Sequence, residues 1–481
     1  MFVVVGALSA LVPVCVSAQT PPVPPRAGDV TITGSLRTRV ESWNWFGDSP
    51  AGEYTYPAAL LRVRVAQSRK TVDWQAELAL PVLIGLPDDA VAPGAQGALG
   101  LGANYFAANG NDENAARLFA KQINLRFKRI GGVDGQTLRI GRFEFVDGTE
   151  TAPRDATIAA LKRDRIAHRL IGTFAFSHVG RSFDGAQYVL DRGDWNVTAL
   201  AVRPTRGVFD VDGWADLDVN LFYGAITRRA GSAPRAGEWR AFGIGYSDYR
   251  HDVLKVDNRP LTTRRTDTER IDVATVGGHY LQTRRIAPGT IDLLLWGAVQ
   301  AGTWGTLRHR AGAYAIECGW QPRVALAPWF RGGWNYGSGD GKATDLRHGT
   351  FLQLLPTPRV YARLPFFNMM NTSDAFGEVT LNPSKNVVLR GSVHALHLAS
   401  ANDLWYQGGG AFQPSTFGYA GRPSNGRTSL STLADASTDV VVSSRLTFSA
   451  YLGYAAGRRV TDSIYGSGGT RLGYLEMLLR F

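Results

Sequence analysis

Cysteine is almost missing from this chain. Of two in 481 residues, Cys15 sits in an apolar leader, which leaves only Cys318 for the remainder. An intrachain disulfide framework is therefore excluded. Long apolar runs are missing as well. Past the amino terminus no stretch reaches the ~18 residues that a spanning helix needs, and mean hydropathy is only −0.12. Charged residues are sparse at 19%, and acids are the scarcer sign, 41 against 52 basic residues, for a formal net charge of +11. The eight histidines are scattered, and His394 and His397 fall on opposite faces of one strand, a poor start for a metal site. No metalloprotease helix or Gly-x-Ser-x-Gly elbow occurs. The reading is therefore a non-enzyme that needs no cofactor.

Glycine (55) and aromatic residues (11%) are plentiful. Residues 1–18 read as a signal peptide, with an apolar run over 2–16 and small residues at the cleavage site, Ser17 and Ala18. Residues 19–29 form a Pro-rich lead, stiff and extended, before the remaining 30–481. Export makes nucleic acid the weakest partner for the basic excess, behind anionic lipid and acidic solutes.

Period-2 alternation predicts about eighteen strands. They are 30–46, 54–67, 71–84, 117–128, 137–146, 182–190, 195–203, 214–228, 239–251, 270–284, 290–303, 309–320, 323–336, 366–381, 386–400, 437–443, 446–456 and 471–481. Tight turn-forming links are expected to alternate with long ones along the chain. The last strand is decisive. Gly473, Leu475, Met477, Leu479 and Phe481 give one wholly apolar face, opposite Leu472, Tyr474, Glu476, Leu478 and Arg480. Behind an export signal, such an aromatic-ended strand resembles the closing strand of bacterial outer-membrane barrels, read by the barrel assembly machinery. The fold class expected is all-β: a transmembrane antiparallel up-and-down β-barrel of about 18 strands, with short periplasmic turns and long extracellular loops. An edge left open cannot survive in lipid, so the first and last strands should pair.

Eleven tryptophans near strands, from Trp43 to Trp334, read as interfacial girdles. One long link contains a helix-forming stretch, 153–168, with Thr151 as N-cap and a basic cluster of Lys162, Arg163, Arg165 and Arg169. The preferred placement is external, facing lipopolysaccharide phosphates or solvent; the alternative is a constriction in the barrel mouth. The acidic stretch Asp210, Asp212, Asp216 and Asp218 reads as a solvated surface loop.

Arginines carry the functional signal. Arg37 and Arg39 on the first strand, Arg62 and Arg64 on the second, and Arg126 and Lys128 on the fourth all alternate with apolar residues. A cation facing lipid at mid-bilayer costs ~2–4 kcal/mol, so these faces should point inward. Arg480 joins the same set, and Arg390 is assigned to it from another strand. Such a lining suits anions. A neutralised lattice, with Glu41, Glu77, Glu144, Asp184 and Glu476 as partners, is the competing expectation.

The segments LRIGRFEF at 138–145 and RSFDGA at 181–186 resemble the paired motifs of the bacterial alginate export family, outer-membrane barrels of 18 strands with an arginine-lined conduit. The resemblance implies that Arg139, Arg142 and Arg181 form a cationic constriction, with Glu144 and Asp184 holding them or gating counter-charge. Plain alternation puts Arg139 and Arg142 on opposite faces, so both reach the lumen only if a bulge intervenes near Gly141. The expected function is an outer-membrane channel of a Gram-negative bacterium for anionic solutes, most of all an acidic polysaccharide such as alginate. A diffusion porin for organic acids or oligosaccharides comes second, and an outer-membrane enzyme or adhesin third. Expected partners are outer-membrane lipid and lipopolysaccharide, the anionic cargo, and periplasmic export proteins.

Overall fold

A computed structural model describes residues 26–47, 50–92, 97–358, 361–410 and 412–481. The leader, Cys15 and most of the Pro-rich lead lie outside them. Among the described residues eighteen antiparallel strands form one wall. The first six are β1 (Val30–Asn44), β2 (Glu53–Ser68), β3 (Val72–Leu83), β4 (Phe119–Lys128), β5 (Gln136–Phe143) and β6 (Phe183–Arg192). Then follow β7 (Trp195–Pro204), β8 (Val219–Ser232), β9 (Arg235–Asp248), β10 (Ile271–Ile286), β11 (Gly289–Trp304) and β12 (Leu307–Pro322). The last six are β13 (Trp329–Gly337), β14 (Thr372–Ser384), β15 (Val387–His397), β16 (Ser429–Val441), β17 (Leu446–Gly457) and β18 (Gly469–Arg480). Each pairs with its sequence neighbours, and β1 closes the cylinder on β18 from Ser35↔Arg480 to Asn44↔Arg471. Phe481 finishes the seam: its N–H donates to the Gly34 carbonyl at 3.0 Å, and the Gly34 N–H donates back at 2.7 Å. The expected closure is thus observed, and no backbone edge is left along the seam.

The wall is inside-out relative to a water-soluble protein. Val276, Val299 and Leu475 are 63%, 64% and 68% exposed on its exterior, while Glu238, Arg240, Glu317 and Arg331 are buried on its interior. In water that exterior would be an aggregation hazard; in lipid it is the required surface. On β12 the alternation is plain: His309, Ala311, Ala313, Ala315 and Glu317 are buried, and Arg308, Arg310, Ile316 and Cys318 are exposed.

Several expected boundaries move, each for a local reason. β8 begins at Val219 rather than 214 because the acidic stretch before it is tied to Arg203, Arg206 and Arg117 at the rim. β14 begins at Thr372 because Phe366, Phe367, Met369 and Met370 are buried in a core of folded-in links. β16 starts at Ser429, earlier than 437; its buried Leu430 and Leu433 are three residues apart, across a register shift against β15, which hides the period of two. The alternation of short and long links fails once, where only residues 305–306 join β11 to β12. Trp43, Trp45, Trp296 and Trp304 are buried inside rather than girdling the wall; Trp195, Trp320 and Trp334 do face outward.

The long links fill the bore at their end of the cylinder. Leu354, Leu355, Phe366, Trp405, Phe412 and Tyr419 form an apolar core there. The 144–182 link runs far enough in to meet Arg37, Arg39 and Lys121. Its helix is shorter than expected, α1 below being the 84–118 link's helix (Leu101–Ala108) and α2 its own (Ala156–Leu161). Asp155, not Thr151, caps α2, accepting the N–H groups of Thr157 (2.9 Å) and Ile158 (3.1 Å).

Candidate functional site

The bore has two differently charged sides. On one, the 144–182 link docks onto carboxylates that alternation turns inward. Lys162 reaches Glu238 on β9 at 2.8 Å, and Arg165 and Arg169 both reach Glu317 on β12 at 2.8 Å. Glu317 also receives Arg331 of β13 at 2.9 Å, and Arg331 bonds Asp292 of β11. Only Arg163 of the basic cluster stays exposed, beside Asp164. The preferred external placement of this segment is therefore wrong. Buried cations require buried carboxylates, and those stand on the inner wall.

On the other side, β1–β4 and β18, with Glu144 just past β5, enclose a chamber of about 520 Å³ at the short-turn end. Arg37, Arg62, Arg64, Lys121 and Arg480 line it, against the carboxylates Glu77, Glu144 and Glu476. Arg62 bridges Glu77 (2.5 Å) and Glu144 (3.1 Å). Arg64 donates to Thr33 Oγ1 at 3.2 Å and Arg480 to Thr447 Oγ1 at 3.4 Å, and neither has a carboxylate within ion-pair distance among the described residues. Arg39, deeper in the wall, binds Glu476 at 2.6 Å and stacks on Phe176 at 3.8 Å.

Residues 174–180 of the inserted link roof this chamber and are held by their carbonyls. Arg37 donates to Ala175 (2.6 Å) and to Ser177, Arg39 to Phe176 (2.9 Å), and Lys121 to Val179 (2.9 Å). Beyond the roof lies a smaller cavity of about 100 Å³, lined by Trp43, Trp45, Phe174, Phe209, Gln407 and Tyr419 among others. The segment thus separates two water-accessible spaces. Two largely buried imidazoles ride on the same link. Burial pushes His168 down to about 4, with the nearby Arg181 charge adding to this and Glu144 opposing it. Burial, with Arg37 and Arg39 close by, holds His178 well below the usual range.

The other residues singled out from sequence lie elsewhere. Arg126 and Lys128 share Asp73 at 2.7 and 2.6 Å near the short-turn end, and Arg390 of β15 pairs with Asp439 of the adjacent β16 at 2.5 Å. Arg139 points inward, to Gln187 at 2.5 Å and over the Phe143 ring at 4.0 Å. Arg142 does not join it. Pairing of β5 with β6 runs without a register shift from Leu190↔Gln136 to Phe183↔Phe143, so no bulge occurs at Gly141. Arg142 stays on the opposite face, gripped by Asp184 at 2.6 and 2.8 Å and by the Gly213 carbonyl at the rim. Arg181 is 1% exposed and bonds the carbonyls of Gly172, Leu355 and Gly410, which makes it a pin between links rather than a lining group.

The bulge falls one strand away. β4 pairs Gln122 with Glu77 and then Ala120 with Leu78, leaving Lys121 as the extra residue. Lys121 and Gln122 are consequently both buried in the bore. Strict alternation assigns Lys121 to the lipid face, which is why sequence reading passed over it.

A closed barrel with an apolar exterior, a charged interior and links folded into its bore defines an outer-membrane porin-like channel. The chain belongs to the alginate export family, whose model matches residues 88–451. No curated protein matches it. Among solved structures it is similar to OccAB2 of Acinetobacter baumannii (TM-score 0.58, 9% identity, 94% of this chain and 98% of that one). It is also similar to OccK9 (OpdG) of Pseudomonas aeruginosa (0.58, 8%, 94% and 99%) and a BenF-like porin of Pseudomonas fluorescens Pf-5 (0.57, 8%, 94% and 99%). These likenesses are of fold. The protein resides in the outer membrane of a Gram-negative bacterium, so the short-turn end faces the periplasm.

Proposed function

We propose that the channel is selective for anions and that its cargo is a carboxylate-bearing saccharide, with alginate the first candidate. The observation that carries this is the basic excess of the periplasmic chamber's side chains, five basic against three acidic, with Arg64 and Arg480 free of acidic partners among the described residues. A low-dielectric wall focuses that field, and a guanidinium fork can bond both oxygens of a carboxylate. The family description supports a polymeric uronate as cargo.

A second reading, passage of small organic acids, is favoured by the filled bore. A dry cavity of ~150 Å³ accommodates benzene, so the space of about 100 Å³ beyond the roof is too small for one sugar ring without movement of the links. Either cargo requires residues 174–180 to shift, and a thin solute requires less. Planar-bilayer recordings on the purified chain test both readings. The reversal potential in a salt gradient should favour anions, and cation preference would refute selectivity. Uronate oligomers should block current at lower concentration than benzoate-sized acids if the saccharide reading holds; the reverse order selects the organic acids.

A further inference from the structure

The exterior of the wall carries a second basic feature, far from the chamber. On β12 the outward face runs Arg308, Arg310, Gly312, Tyr314, Ile316, Cys318, Trp320 from the extracellular end downward. From Arg310 to Trp320 is ten residues, roughly 33 Å along a strand and about 25 Å at the usual tilt, the height of an outer-membrane apolar band. Arg308 and Arg310 therefore stand at the outer boundary of the bilayer.

A third arginine is brought beside them by topology. β13 ends at Gly337, opposite Ala313, so the upper end of β12 lacks its sequence neighbour. Residues Arg347 and His348 of the following link fill the gap as a short parallel strand, in register with Arg308 and His309. His348 points inward onto His309, while Arg347 stays exposed. Paired strands lie ~4.8 Å apart and alternate residues of one strand ~6.7 Å apart, so three guanidiniums converge on one patch. None of them has a carboxylate partner or a side-chain hydrogen bond among the described residues. The nearest acids are engaged: Asp345 caps the Arg347 N–H at 3.0 Å and Asp272 holds Arg270 at 2.5 Å. Just below, Tyr314 stacks on Tyr336 at 5.1 Å and meets Trp334 edge-on at 6.1 Å, an aromatic group of the kind found at headgroup level.

Unpaired guanidiniums directly above an apolar wall fit an anion that is itself fixed at the membrane surface. We propose that Arg308, Arg310 and Arg347 form a binding site for the phosphorylated headgroup of an outer-leaflet glycolipid, its acyl chains lying along Val299, Ile316 and Trp334. Arginine suits this role through bidentate bonding to phosphate, and the site is independent of the channel's cargo.

The test is lipid retention by the full chain in detergent, read by native mass spectrometry with bisphosphorylated lipid A as probe. The wild type should bind it on the order of tenfold more tightly than R308Q/R310Q/R347Q, and more tightly than it binds dephosphorylated lipid A. R308K/R310K/R347K should retain more binding than the glutamine variant, because the charge survives. Equal binding by wild type and glutamine variant overturns the proposal, as does indifference to the lipid phosphates. Displacement by inorganic phosphate at equimolar concentration would likewise overturn it, since the site would then not be one for lipid. Unchanged single-channel conductance of the glutamine variant verifies that the barrel is intact.

Discussion

A guanidinium in this bore can do one of three things, and its neighbours decide which. Arg62 bridges two glutamates, Arg181 ties backbone carbonyls together, and Arg64 meets only a hydroxyl and faces the chamber. Arg64→Glu combined with Arg480→Glu should cut the anion-to-cation permeability ratio several-fold with little change in thermal stability, because both side chains are exposed and bond only hydroxyls. An unaltered reversal potential would remove these two from the ion path. Glu317→Gln is the contrasting case. It leaves Arg165, Arg169 and Arg331 converging on a neutral amide, a loss of about 3–5 kcal/mol for a broken buried ion cluster. Denaturant midpoints should fall and open conductance rise as the inserted link loosens; a stable, unchanged channel would contradict that account.

At the scale of the element, the 144–182 link is the part most open to regulation. His168, held near 4, and His178, held lower still, are kept neutral by burial. A released link would protonate them near the ordinary value of about 6.5. The sign follows: insertion is fully favoured above that value and is weakened as pH falls through it toward 4. Between pH 7 and pH 5 the penalty for His168 alone is on the order of 2 kcal/mol. Bilayer recordings should show greater open probability at pH 5 than at pH 7, and H168Q/H178Q should flatten the difference. An identical pH response in the double variant would assign it elsewhere. The same link shows where sequence reading falls short. Its helix-forming stretch and basic cluster were legible, but whether that cluster meets lipid phosphate or Glu238 and Glu317 depends on strands far along the chain, Glu317 lying 152 residues past Arg165.

For the whole molecule, the governing fact is that oil lies outside and ions inside. Ile316→Arg, midway along the outward face of β12, should cost about 2–4 kcal/mol and depress refolding yield into bilayers. Arginine at Cys318's outward neighbour Trp320, close to the interface, should cost less, and equal penalties would argue against this placement of the membrane.

The sequence alone determined the strand count, the closing partnership of first and last strands, and which face of most strands meets lipid. Those follow from a period of two and from the cost of cations in hydrocarbon, both local properties. Tertiary structure alone decided which arginines remain unpaired, because ion pairing is set by cross-strand register and by links that fold back into the bore. Lys121 shows the limit most clearly. One extra residue opposite Glu77 and Leu78 reverses its facing, and nothing in its own neighbourhood of the chain announces that shift.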